Sequence, residues 1–198
     1  MISIKNAADV EGMRRAGRCT RRICDCLAAR VVPGLTTGDL DAEAAELMRA
    51  QGVESAFLGY RGYPGNVCVS VNEEVVHGIP GLRRIAAGDL VSLDVGVRAG
   101  GYYGDMAVTV MVGAADPERV RLVAVTRAAL EAGIAMARAG RRLSDISAAI
   151  EQTAAAAGFS VVREFVGHGI GRAMHEDPPV PNFGPAGRGP ILAAGMAL

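Results

Sequence analysis

The sequence has no tryptophan, and aromatic residues make up only 4% of it. Stacking platforms for single-stranded nucleic acid are therefore improbable. It also lacks net charge, with 21 Lys and Arg against 21 Asp and Glu. No global field draws it to nucleic acid or to an anionic membrane. No uncharged run approaches the ~18 residues of a membrane span, although the mean hydropathy of +0.24 is high. The first residues, MISIKNAADVEGMRR, have no apolar signal core, which argues against secretion or import. The four cysteines form no C-x-x-C pair, and Cys19, Cys24 and Cys26 share one expected helix. They read as reduced packing thiols of a cytosolic protein. P-loop, dinucleotide-binding and G-x-S-x-G patterns are all missing.

What is present is a globular α/β composition, 50% apolar and 21% charged over 198 residues. Asn6 can cap a helix running to about Arg30, stopped by Val31-Val32-Pro33-Gly34. A second helix is expected over residues 37–51, with Gly52 as its left-handed stop. Alternating residues then predict strands over 67–72, 90–97 and 102–112. Asp116-Pro117 opens a third helix to about Arg138, and a fourth spans residues 144–157. Strand-like residues return over 159–166.

This order repeats. Pro33–Gly52 aligns with Ala139–Gly158 at one constant spacing, matching Gly34 with Gly140, Asp39 with Asp145, Leu40 with Ile146 and Gly52 with Gly158. The expectation is one domain over 1–198 made of two α/β half-repeats, 1–112 and 113–198, around a shared cleft. At that spacing the second half would run past Leu198, so the chain reads as cut short within the apolar run PILAAGMAL.

Chemistry concentrates in two places. A two-residue hairpin turn at Ala99-Gly100 would set Asp94 directly opposite Asp105, with Cβ atoms about 5 Å apart. Two carboxylates at that distance repel by about 3 kcal/mol at an effective dielectric of about 20. Ser92, Gly96, Tyr103 and Ala107 on that face offer no counter-charge, so a proton or a cation is expected between them. The alternative is a slipped register with both aspartates solvated. All three histidines lie in segments punctuated by glycine or proline: His77 in VVHGIPG, His168 and His175 in VGHGIGRAMHEDPP. Imidazole and carboxylate donors together suit Zn²⁺, Mn²⁺, Fe²⁺ or Co²⁺. Paired carboxylates with one bridging suit a two-metal centre.

At these residues the sequence resembles type I methionine aminopeptidases, through the IKNAADVEGMRRAGR helix, LGYRGYPGNVCVSVNEEVVHGIPG, LVSLDVGVRAGGYYGDMAVTV and GHGIGRAMHEDPPVPNF. The resemblance implies the pseudo-twofold pita-bread fold. It implies hydrolytic removal of initiator methionine from nascent chains with a small second residue. It implies two divalent metal ions, with Asp94, Asp105 and His168 as ligands and Asp105 bridging. His175 would stabilise the oxyanion and His77 would hydrogen-bond the substrate backbone. Tyr60, Tyr63, Cys68, Phe57 and Met174 would surround the methionine side chain. Two further glutamate ligands would follow Leu198, which leaves the activity of these 198 residues alone in question. A cytosolic monomer acting on nascent N-termini is expected, with ribosome docking left open. The rival readings are an Xaa-Pro peptidase relative and a non-catalytic peptide- or ribosome-binding module on the same fold.

Overall fold

The computed structural model describes all 198 residues, Met1–Leu198. Its elements are α1 (Ala7–Arg30), α2 (Thr37–Gln51), β1 (Glu54–Ser55), a 3-10 turn (Tyr60–Gly62), β2 (Cys68–Val71), β3 (Leu90–Ala99), β4 (Tyr102–Met111), α3 (Pro117–Met136), α4 (Leu143–Ala156), β5 (Gly167–Gly169) and β6 (Glu176–Val180). Two compact units result. One comprises Ala8–Pro117 with Arg172–Met174; the other comprises Met1–Ala7, Glu118–Gly171 and His175–Leu198.

The first unit is a four-stranded antiparallel sheet backed by α1 and α2. β3 is central, with β1 and β2 on one edge and β4 on the other. Strand period two divides the faces of β3. Val91, Leu93, Val95 and Val97 are fully buried in one cluster with Ile23 and Leu27 of α1 and Leu40, Ala44 and Met48 of α2. Ser92, Asp94 and Gly96 take the other face. Helix and sheet come closest at Gly104, where a Cβ would lie 2.5 Å from Thr20 Oγ1 and 2.9 Å from the Ala16 carbonyl carbon. Any side chain there would drive the helix off the sheet.

The β3–β4 register differs from the expected one. Ala99 pairs with Tyr102, so the turn is Gly100-Gly101, with φ of 58° and 81°. A tight hairpin of this kind needs positive φ at both central residues. Alanine resists that conformation and glycine accepts it, so the turn moves one residue along.

In the second unit, α3 and α4 meet through Gly133, whose Cβ would lie 2.9 Å from Ile150 Cγ1. Leu143, Ile146, Val180 and Leu192 form its buried cluster. The strand expected over 159–166 does not form. Side chains tie that stretch down instead: the Arg121 guanidinium lies 4.6 Å over the Phe159 ring, and Arg163 lies 4.3 Å over Phe183. The strands here are β5 and β6, paired antiparallel with a register shift between His168 and Gly169. Prolines 178 and 179 disguise β6 in the sequence, because proline cannot donate to a ladder.

The repeated helix entries are visible as bonds. Gly34 N–H donates to Ile85 O at 2.8 Å, and Gly140 N–H donates to Leu192 O at 2.9 Å. Thr37 N–H donates to Arg83 O at 2.9 Å, and Leu143 N–H donates to Pro190 O at 3.0 Å. Gly34 and Gly140 share the left-handed region, with φ of 94° and 89°.

Candidate metal and substrate site

The corrected register moves the two aspartates without parting them. Asp94 pairs with Ala107, and Asp105 pairs with Gly96. They are diagonal neighbours on the same sheet face, not directly opposed. Diagonal positions lie about 7–8 Å apart between Cα atoms, so the repulsion falls to about 2 kcal/mol at the same dielectric. A cation between them would still relieve it. The apolar face of the hairpin turns toward α1 and α2, so the helices fix which way both carboxylates face.

Cys68 stands beside Asp94 across the β2–β3 ladder. It is buried with Ala56, Phe57 and Met174, and Tyr63 and Tyr103 pack against this cluster. Phe57 and Tyr63 meet edge to face at 6.5 Å. Gly96 makes room for them, since a Cβ there would lie 2.5 Å from Phe57 Cε1. Burial pushes the Cys68 thiol up to about 11, the Tyr63 hydrogen bond opposes this, and the Asp94, Asp105 and Asp41 carboxylates add to the rise. Burial likewise raises the Tyr63 phenol, helped by Cys68, Asp41 and Asp94. Both groups are therefore neutral at physiological pH. Cys68 is an uncharged wall, not a nucleophile. The cluster is a patch of neutral, largely apolar side chains beside the paired carboxylates. Four of the five residues expected around a methionine side chain come together: Phe57, Tyr63, Cys68 and Met174. Tyr60 lies outside the cluster in the exposed 3-10 turn.

His77 is exposed and holds a φ of 59°. A non-glycine residue in that region needs outside support, and Gly78 provides it. Gly78 N–H donates to Ser70 Oγ at 3.0 Å, while Gly78 O accepts from Val69 N–H at 3.0 Å and from Tyr63 Oη at 2.8 Å. A Cβ on Gly78 would lie 2.3 Å from Val69 O. Tyr63 thus anchors the His77 loop as well as packing against the cluster. Farther back, Asp41 on α2 accepts from Asn66 N–H at 2.6 Å and Val67 N–H at 3.1 Å, which sets the start of β2.

The remaining histidines are neighbours in the second unit. The rings of His168 and His175 have centroids 4.2 Å apart, tilted by 42°. His168 Nδ1 lies 2.9 Å from Gly169 O. A carbonyl only accepts, so Nδ1 is the donor in this contact and Nε2 is the ring nitrogen left to face a ligand. That is the tautomer a metal-ligating histidine needs. No three His, Cys, Asp or Glu side chains converge into a metal cage. The donors form two sets, a carboxylate pair on the hairpin and an imidazole pair at β5–β6. Their chemistry, carboxylate oxygen and imidazole nitrogen, fits a first-row divalent ion.

Sequence reasoning missed the supports of these groups. Arg172 of the GHGIGR motif reaches Asp9 at 3.1 Å, hydrogen-bonds Tyr102 Oη and lies 4.4 Å over the Tyr102 ring. Tyr102 Oη donates to Asp9 at 2.7 Å. Ser70 and Asp41 carry no motif, and nothing in the local sequence marks them. Arg172 could have been suspected as the one fixed charge inside a glycine-rich segment.

Residues 11–198 match metallopeptidase family M24. A methionine aminopeptidase of Clostridium perfringens is 46% identical over 198 residues, covering 100% of this chain and 80% of that protein. Methionine aminopeptidase 1 of Bacillus subtilis is 44% identical with the same coverage. The crystal structure of methionine aminopeptidase from Thermotoga maritima superposes with a TM-score of 0.97 at 45% identity, covering 99% of this chain and 79% of that one. Prolidase from Pyrococcus furiosus, at 21% identity and a TM-score of 0.85, shares the fold. The chain has the pita-bread fold and belongs to metallopeptidase family M24.

Proposed function

We propose that this protein removes methionine from the N-termini of nascent chains whose second residue is small. As a metallopeptidase it uses divalent metal. The observation that carries the reading is the shared sheet face, where Asp94 and Asp105 stand beside the neutral cluster of Phe57, Cys68, Met174 and Tyr63. These side chains would receive the methionine side chain, and their neutrality favours an apolar guest over a charged one. Asp94, Asp105 and His168 would hold divalent metal, Co, Mn, Fe or Zn, as two ions with Asp105 shared between them. Metal held there would supply Lewis-acid polarisation of the scissile carbonyl and a more acidic bound water. His175 places a donor where negative charge develops on the carbonyl oxygen. His77, with its backbone fixed through Gly78, holds the substrate backbone by hydrogen bonding. Tyr60 guards the rim.

The protein acts as a monomer in the cytosol, where its four unpaired thiols stay reduced. No helix is long and apolar enough to cross a membrane. The test is methionine release from Met-Ala-Ser against Met-Leu-Ser in the presence of Mn²⁺ or Co²⁺. Met-Ala-Ser is expected to react faster by a wide margin, and equal rates would remove the small-second-residue reading.

A further inference from the structure

We infer that Lys5, at the start of the IKNAADVEGMRRAGR segment, is a positioning residue for His175. The inference rests on the role just proposed for His175. Lys5 sits in the segment before α1, and its ammonium pairs with the carboxylate of Glu176, the residue that follows His175. Both side chains are enclosed, with 8% of Lys5 and 18% of Glu176 exposed. Ser3 Oγ donates to the same carboxylate at 3.0 Å. Lys5 also hydrogen-bonds Ser3 Oγ, so the three groups form one closed set.

The backbone around Glu176 explains why such a lock is needed. Glu176 pairs with Gly169 at the end of the β5–β6 ladder, and the register shift separates this pair from the next, His168 with Pro179. His175 lies just outside the strand. A single ladder pair beyond an irregularity leaves the strand end free to fray, and the His175 ring would fray with it. The Glu176 side chain supplies the second point of attachment.

Two glycines close around the strap. A Cβ on Gly171 would lie 2.6 Å from Glu176 Oε1 and 2.7 Å from Lys5 Nζ. A Cβ on Gly195 would lie 2.8 Å from Ile4 Cγ2 and 2.9 Å from Lys5 O, and Lys5 N–H donates to Gly195 O at 2.7 Å. Gly171 therefore packs against the ion pair itself, and Gly195 against the backbone that carries Lys5. Residues 1–7 act as a strap that fixes the end of β6, and through it the His175 ring beside His168.

The test uses Lys5→Met, which keeps the length of the side chain and removes the charge. With three histidines in the chain, the imidazole carbon–proton spectrum is simple to assign. Selective displacement of the His168 and His175 resonances, with His77 unmoved, is expected. On Met-Ala-Ser, kcat should fall by about a hundredfold, as for a reacting group misplaced by about an ångström, while KM changes little. Should Lys5→Met not fold, Lys5→Met/Glu176→Gln fills the same space without a buried charge and should show the same selective displacement. Unmoved resonances in a folded variant, or equal movement of all three, would overturn the inference. A parent protein that releases no methionine would sink the peptidase reading instead, and the resonances would still decide the role of Lys5.

Discussion

The turns that lead into α2 and α4 make matching backbone bonds with different side chains. In the first, Thr36 Oγ1 accepts from Asp39 N–H at 3.1 Å, and the Asp39 carboxylate accepts from Thr36 N–H at 2.8 Å. In the second, Arg142 stands where Thr36 stood. Its guanidinium has no acceptor, so only the return bond survives, from Arg142 N–H to Asp145 at 2.9 Å. Arg142 reaches instead to Gly189 O at 2.8 Å. The left-handed glycine and the amide bonds to the returning chain are kept in both. The backbone path is the constrained quantity, and the cap is adjustable. The cores differ more. One is a sheet sandwiched against two helices, and the other is a small cluster between α4, β6 and Leu192.

The largest expected break in this comparison is at the helix contacts. Gly104→Ala pushes a methyl group against the Ala16 backbone, which cannot swing aside, and should cost about 1–3 kcal/mol or more. Gly133→Ala meets the Ile150 side chain rather than backbone and gains about 1 kcal/mol of helix propensity, so its net loss should be the smaller of the two. Thermal unfolding of the two variants checks the order, and equal losses would contradict it. Next come the caps. Thr36→Ala should cost about 1 kcal/mol. Arg142→Thr should return less than that, because completing the box gives up the bond to Gly189. The smallest effect is in acid. Hydrogen bonds from Thr36 hold Asp39 below the ordinary aspartate range, and the Arg142 and Gly187 amides do the same for Asp145. A lowered native pKa adds stability above the unfolded value and loses it as pH falls through the native one. Asp39→Asn and Asp145→Asn should each flatten the loss of stability below about pH 4.

Helices and their stops were legible because capping and left-handed glycine are local chemistry: Gly52 and Gly158 take φ of 65° and 79°. The shared face of Asp94 and Asp105 was legible from period two, but their register was not. It hung on whether Ala99 or Gly101 completes the turn, a difference in allowed φ. That Phe57, Tyr63, Cys68 and Met174 pack together was suggested only by the family resemblance, and Tyr60 stands apart in a 3-10 turn that leaves no trace in the spacing. β6 was hidden by its prolines. The supports at Asp9, Asp41, Ser70 and Lys5 escaped because their partners lie far away in sequence, and no local pattern encodes a contact between residues 5 and 176.

Cation binding at the hairpin carboxylates is what the proposed activity requires, and Mn²⁺ titration of the protein beside Asp105→Asn tests it most directly. The parent should bind about one to two ions per chain, and Asp105→Asn should lose both the binding and any methionine release while keeping its thermal midpoint. Undiminished Mn²⁺ binding by Asp105→Asn would contradict the bridging role and the site built on it.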